Sequence, residues 1–310
     1  MPEPEGTALT EADYEKWRRA GEISASAIEL GRMIVREGAS LLDVADQIED
    51  FMRDNGAVPA FPTNLSRNEV AAHFTPASTD RDLSFRKGDV VKLDLGAQID
   101  GFIADTAVTI EIGTTKYEKL IEASRKALEE AISVMGPNAN LSTVGGTIET
   151  VINSYGFKPI RNLTGHLIER NVLHAGISVP NVQQRITQRP RIGQVFAIEP
   201  FSTDGEGHVV SGPSGNIYHY QRDRPVRLPD QRRVLQAIAK HYPYTPFAER
   251  WLARETGERT HITLQGLLKQ VLIKSYPQLI EAGRGMVAQH EHTVLITEDG
   301  CEVLTKRAGG

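Results

Sequence analysis

Five residues recur at one constant offset: Leu41, Val44, Ile48, Gly56 and Pro59 return as Leu141, Val144, Ile148, Gly156 and Pro159, each one hundred positions later. The first set lies in LLDVADQIEDFMRDN, a one-faced helical pattern that Ser40 can cap. Gly56 can end that helix in the left-handed conformation, and the extended AVPAFPTN follows. A longer helical pattern precedes each copy, at about 10–37 with Ile23, Ala27, Leu30 and Ile34 on one face, and at about 115–135. Helix, helix and extended segment therefore occur twice. Chance likeness between amphipathic helices is the ordinary alternative, and the shared Gly and Pro positions weigh against it. Two copies are too few for a solenoid, which needs about three stacked units. The expected fold is an α/β (α+β) domain of two pseudo-twofold halves with antiparallel strands and a site between the halves.

Residues 222–285 interrupt the second half with a polar, Arg- and Pro-containing stretch and the helical patterns DQRRVLQAIAKHY and TLQGLLKQVLIKSY. This predicts an inserted helical subdomain, after which the strand pattern AQHEHTVLI returns the chain to the main sheet. The expectation is one domain over 1–310 carrying that insertion. With 40% hydrophobic residues the chain can fill a core, and a charge of −5 offers no basic field for nucleic acid or anionic lipid. Cys301 is the single cysteine, so no internal disulfide forms and a reducing, cytoplasmic setting is expected. The polar, acidic start MPEPEGTALTEADYEKW and the lack of any long apolar run predict neither signal peptide nor membrane span. No heptad pattern is present, so a monomer is expected.

The stretch VVKLDLGAQIDGFIADTAVTI reads as two strands joined by a turn containing Asp100 and Gly101. A turn over Gln98–Gly101 places Asp94 opposite Asp105. Like charges directly opposed are destabilising unless a cation sits between them. A solvated surface carboxylate is the ordinary alternative, but both acids lie in apolar runs beside Leu93, Leu95, Ile103 and Ala104, where an unpaired charge is costly. Two further strand-like runs carry single acids, Glu199 in QVFAIEPF and Glu291 in AQHEHTVLI. Period two places Glu199 with Val195, Ala197 and Phe201, and Glu291 with Gln289, Thr293 and Leu295. Four converging carboxylates call for about two divalent ions, and one imidazole would complete an oxygen-rich site for Mn, Fe, Co or Zn. Of nine histidines, His166 and His174 follow the extended segment of the second half in GHLIERNVLHAG, and His73 closes the matching segment of the first in NEVAAHFTP.

At these residues the chain resembles the type 2 methionine aminopeptidases, whose duplicated α/β fold is called pita bread, and its short N-terminus resembles the archaeal form, which lacks the long charged extension of the eukaryotic ones. AFPTNLSRNEVAAHFTP, KLDLGAQIDGFIADTAVTI, NLTGHLIERNVLHAG, AIEPF and QHEHTVLI match family motifs in the family's order. The resemblance implies that Asp94 chelates one metal ion, that Asp105 and Glu291 bridge both, and that His166 and Glu199 complete the shell of the other. It implies His73 and His174 beside the scissile bond, and Phe61, His219 and Tyr276 along the methionine pocket. His290 departs from the family, which usually has an aromatic residue before the bridging Glu.

The activity so implied is removal of initiator methionine from peptides and nascent chains, preferentially before a small second residue. Two metals sharing a water would bring its pKa toward neutrality and polarise the carbonyl. Glu199 would act as general base and then proton donor, His174 would stabilise the oxyanion, and His73 would contact the scissile amide. A ribosome is the one macromolecular partner left open. The alternatives are an Xaa-Pro aminopeptidase of the same fold and a non-catalytic binding protein that has lost its ligands.

Overall fold

A computed structural model describes residues 9–257 and 259–306; the acidic start expected of the first eight residues lies outside them. Apolar residues at helical spacing form α1 (Glu11–Ile34) and α2 (Leu41–Asp54), and the Ser40 side chain accepts from the Asp43 amide to cap the latter. Short strands β1 (Val58–Pro59), β2 (Asn64–Arg67) and β3 (Val70–Ala72) lead to a long hairpin, β4 (Val90–Ile99) and β5 (Phe102–Glu111). The order then returns with α3 (Glu118–Ser133), α4 (Leu141–Ser154), β6 (Lys158–Pro159), β7 (Thr164–Ile168), β8 (Ser178–Pro180), β9 (Val195–Ile198) and β10 (Phe201–Thr203). Gly56 and Gly156 both take positive φ, 86° and 83°, after their helices. In the first half Leu41, Val44 and Ile48 bury against Leu65, Leu93 and Leu95. Their counterparts Leu141, Val144 and Ile148 bury against Leu167, Phe196 and Ile198 in the second.

The rest of the chain is β11 (Val209–Tyr220), α5 (Pro229–His241), β12 (Phe247–Ala248), α6 (Glu249–Thr256), α7 (Thr260–Lys269), β13 (Ile273–Glu281), β14 (Val287–Gln289), β15 (His292–Ile296) and β16 (Cys301–Val303). The strand orders are β1-β4-β2 with β5 on β4, β14-β10-β6, β12-β11-β13-β3 and β16-β15-β9-β7-β8, with antiparallel pairing. The three helices of the insertion share a core of Val234, Leu235, Ile238, Trp251, Leu252, Leu264 and Leu267. Among the described residues, no helix is long and apolar enough to cross a membrane.

Three local expectations change. TLQGLLKQVLIKSY is not one helix: α7 stops at Lys269, Val271 takes φ 55°, and Ile273 onward pairs with β11 as β13, so this part of 222–285 belongs to a sheet. AQHEHTVLI and QVFAIEPF are not continuous strands, since β14 and β15 break at His290–Glu291 and β9 and β10 break at Glu199–Pro200. The hairpin register also differs, with Asp94 opposite Ala107 and Asp105 opposite Gly96. Asp100 and Gly101 both have positive φ, 51° and 88°, so they form a two-residue turn whose twist matches the strands, and Ile99 pairs with Phe102. The displacement of two residues preserves the face, because side chains alternate with period two.

Candidate metal centre

The two halves meet where β5 runs beside the chain at Glu291. The Glu291 amide donates to Ala107 O at 2.9 Å, and Thr106 Oγ1 donates to Glu291 O at 2.8 Å. Thr293 Oγ1 accepts from the Asp105 amide and donates to its carbonyl, both at 2.7 Å. These contacts fix the backbones of two acids facing one cavity. Asp94 on β4 lines the same cavity diagonally from Asp105, His166 enters from β7, and Glu199 enters from the break after β9.

Donor atoms of Asp105, His166 and Glu291 lie within 4.8 Å of one another. His166 Nε2 stands 3.6 Å from Asp105 Oδ2 and 3.7 Å from Glu199 Oε1. Asp94 Oδ1, Asp105 Oδ1 and Glu291 Oε1 are buried with no hydrogen-bond partner among the described residues. Burial pushes the Asp94 carboxyl up to about 7, opposed by the Gln289 amide. Burial, then repulsion from the neighbouring acids, pushes Asp105, Glu199 and Glu291 well above the usual carboxylate range. Burial drives His166 the other way, to about 3, so its imidazole is neutral and able to ligate. Buried orphan oxygens beside a neutral imidazole fit divalent cations, which supply both the missing charge and the missing partners.

The cavity, of ≈ 240 Å³, pairs these polar groups with an apolar wall that includes Phe61, Leu173, Ile217, Tyr276 and Leu279. His73 and His174 line it as well. The His174 ring centroid is 4.2 Å from that of His166, and His73 meets Tyr276 edge to face at 5.4 Å. Desolvation and the nearby Lys274 ammonium hold His174 below its ordinary value, and burial brings His73 to about 4. Burial pushes the Tyr276 phenol up to about 12. Among the described residues that line the cavity His219 is absent: its Nδ1 faces Tyr220 O, and the ring acts electrostatically on His174. His290 points away from the cavity toward α3, where Nδ1 pairs with Ser124 Oγ at 2.8 Å.

Residues 15–298 match the model of metallopeptidase family M24. The chain belongs to this family. An M24 relative from Methanocaldococcus jannaschii, a methionine aminopeptidase, is 47% identical over 94% of this chain and 98% of its own length. The methionine aminopeptidase of Pyrococcus abyssi is 44% identical over 95% of this chain and all of its own. The solved methionine aminopeptidase of Thermotoga maritima superposes with a TM-score of 0.71 at 25% identity, over 97% of this chain and 99% of that one. The pita-bread fold and the class of metal-dependent hydrolase follow for this M24 member.

Sequence reasoning missed the supports of this M24 site. Gln289 Nε2 donates to Glu291 Oε2 at 3.3 Å, and Thr109 Oγ1 exchanges bonds with the Gln289 backbone at 2.7 and 2.8 Å. Asn181 Nδ2 donates to the carbonyls of Leu163 and Glu199. Thr106 and Thr109 in DTAVT were the available signal, since hydroxyls in an otherwise apolar strand need partners.

Proposed function

We propose that the protein is a methionyl aminopeptidase that clears initiator methionine from peptides and nascent chains in the cytoplasm, preferring a small second residue. The observation that carries this reading is the joining of an orphaned carboxylate–imidazole cluster to a small apolar cavity. At ≈ 240 Å³ the cavity is below the range of about 300–1,000 Å³ usual for drug-sized ligands, which suits a single terminal side chain. Phe61, Ile217, Tyr276 and Leu279 receive that side chain.

Asp94, Asp105, His166, Glu199 and Glu291 would hold two divalent ions. When bound, these supply charge for the carboxylates, polarisation of the scissile carbonyl and a water acidic enough to react near neutral pH. Glu199, which enters the cavity from the break after β9, would take a proton from the attacking water and return it to the departing amine. The neutral His174 ring donates N–H to the carbonyl oxygen as charge develops, a contribution of about 2.7–4 kcal/mol where such donors have been removed. His73 has a buried Nδ1 without a hydrogen-bond partner among the described residues and offers it to the scissile amide. We also read 1–310 as one catalytic domain with a helical insertion between 222 and 285, since α5 to α7 bury a core of their own.

The test incubates metal-depleted protein with Met-Ala-Ser and Met-Pro-Ser peptides, with and without Co or Mn, and quantifies free methionine by mass spectrometry. Metal-dependent release that Glu199→Gln abolishes is the expected result. Release of residues only before proline would favour an Xaa-Pro enzyme, and no release from folded protein with any metal would overturn the reading.

A further inference from the structure

The first turn of α6 buries an unusual set of side chains. Glu249, Arg250 and Trp251 are 2%, 1% and 7% exposed, and they reach out of the insertion into the first half of the molecule. Arg250 Nη1 donates to Thr75 Oγ1 at 2.7 Å and to Pro76 O at 3.2 Å, while Nε meets Asp46 Oδ1 at 3.2 Å. Its Nη2 pairs with Glu49 Oε1. Glu49 is itself fully buried and accepts from the Thr63 amide at 3.0 Å and from Trp251 Nε1 at 2.6 Å. Thr75 Oγ1 then donates to Thr63 O at 2.7 Å, closing the circuit, and Glu249 takes the amide and hydroxyl of Ser78 at 2.8 and 2.9 Å.

The anchor points matter because of what stands beside them. Thr63 lies between Phe61 and Asn64, and Thr75 lies two residues after His73; Phe61, Asn64 and His73 all line the cavity, whereas Glu49 and Arg250 do not. A buried ion pair is a poor source of net stability, because well-packed apolar residues of similar volume often do as well. What a planar guanidinium with several directed donors provides is geometry, and an ammonium cannot reproduce it.

We propose that Arg250 and Glu49 are positioning residues through which the helical insertion sets the spacing of the Phe61 and His73 walls, and with it the selectivity for the terminal side chain. This rests on the methionine-releasing function proposed above. The insertion is thereby a mould for one wall of the pocket.

The test compares wild type with Arg250→Lys, which keeps the cation beside Glu49 but loses the fork, and with Thr75→Val, which leaves the ion pair whole and removes the hydroxyl link. For Met-Ala-Ser peptide, Arg250→Lys should lose about tenfold to a hundredfold in kcat/KM, the scale of an ångström-level misplacement, with most of the change in KM. Its preference for Met over Leu should narrow, Thr75→Val should shift the same way to a smaller degree, and metal content by elemental analysis should match wild type. Calorimetric Kd values for free methionine and free leucine report the same selectivity without turnover. If wild type neither releases nor binds methionine, the functional reading fails and this one with it. If wild type does so and both folded variants retain its KM, Kd and Met-over-Leu ratio, the positioning role alone is overturned. Loss of activity together with loss of bound metal would also overturn it, since the effect would then be general disruption.

Discussion

Nε2 of His166 lies 3.6 Å from Oδ2 of Asp105, too far apart for a hydrogen bond and close enough for two ligands of one ion whose bonds are about 2.0–2.2 Å. Neither Asp105 Oδ1 nor Glu291 Oε1 has a hydrogen-bond partner among the described residues. Folding therefore gathers charge that a cation must relieve. Adding Mn or Co to chelator-treated protein should raise Tm, with a gain of about 2.7 kcal/mol when free metal is a hundredfold above Kd. Asp105→Asn should lose most of that rise. Scanning fluorimetry at fixed protein concentration checks it, and an unchanged Tm for wild type across a metal titration would count against a cation site.

A second expectation concerns Gly96, which pairs with Asp105 across the hairpin. A methyl group there would sit 2.6 Å from Phe61 Cε1 and 2.9 Å from Ala104 O. The backbone oxygen cannot retreat, so the Phe61 ring, which lines the cavity, must shift. Gly96→Ala should raise KM for Met-Ala-Ser by roughly tenfold, about 1.4 kcal/mol of binding, with metal content unchanged. A variant with wild-type KM would show that the ring has room to shift elsewhere.

Much of this was legible in local signals. Leu41, Val44 and Ile48 mark a helical face by spacing alone, Gly56 marks its end, and their counterparts one hundred residues later repeat both statements. The acids in apolar strands announced a site because an unpaired charge is costly there. The hairpin register was not legible from charge pairing; it follows from which residues take positive φ, and Asp100–Gly101 take it as the two central turn residues. The α6 helix was hard to read because it buries Glu249 and Arg250 beside Trp251 and Leu252, and the Arg250 partner Glu49 lies 201 positions away. Buried polar networks closed at such separations leave no local pattern. The same holds for His219, whose place near the pocket depends on the bulged pairing of β11 with β13.

His73 offers a pH test. Burial lowers its pKa to about 4, against about 6.5 in an unfolded chain, so the fold favours the neutral ring. Its contribution is fully present above pH 6.5 and is lost as pH falls from there toward 4, because the unfolded state then binds the proton first. Each unit of difference corresponds to about 1.4 kcal/mol, which bounds the decline at a few kcal/mol. Its φ of 67° is left-handed, a conformation Asn tolerates better than most residues. His73→Asn should therefore fold and should lose less stability between pH 6.5 and 4 than wild type, as read by urea melts of the metal-free forms. Parallel pH curves for the two proteins would contradict this.

The Arg250–Glu49 pair makes a last prediction, about stability rather than selectivity. Both side chains are almost wholly buried, at 1% and 0% exposure, and Glu49 has no other charged partner within ion-pair distance among the described residues. Arg250→Ala strands that carboxylate in the interior and removes donors from Thr75 Oγ1 and Pro76 O. Breaking a buried pair from one side costs about 3–5 kcal/mol, far more than an exposed pair is worth. Adding Glu49→Gln to Arg250→Ala should recover part of the loss, because the stranded charge is gone, while Glu49→Gln alone should destabilise less than Arg250→Ala since the guanidinium keeps Asp46 at 3.2 Å. A double-mutant cycle by denaturant unfolding measures the coupling. Additive losses would mean that the two groups stabilise the fold separately and that the insertion is held to the first half chiefly by Trp251 and its apolar neighbours.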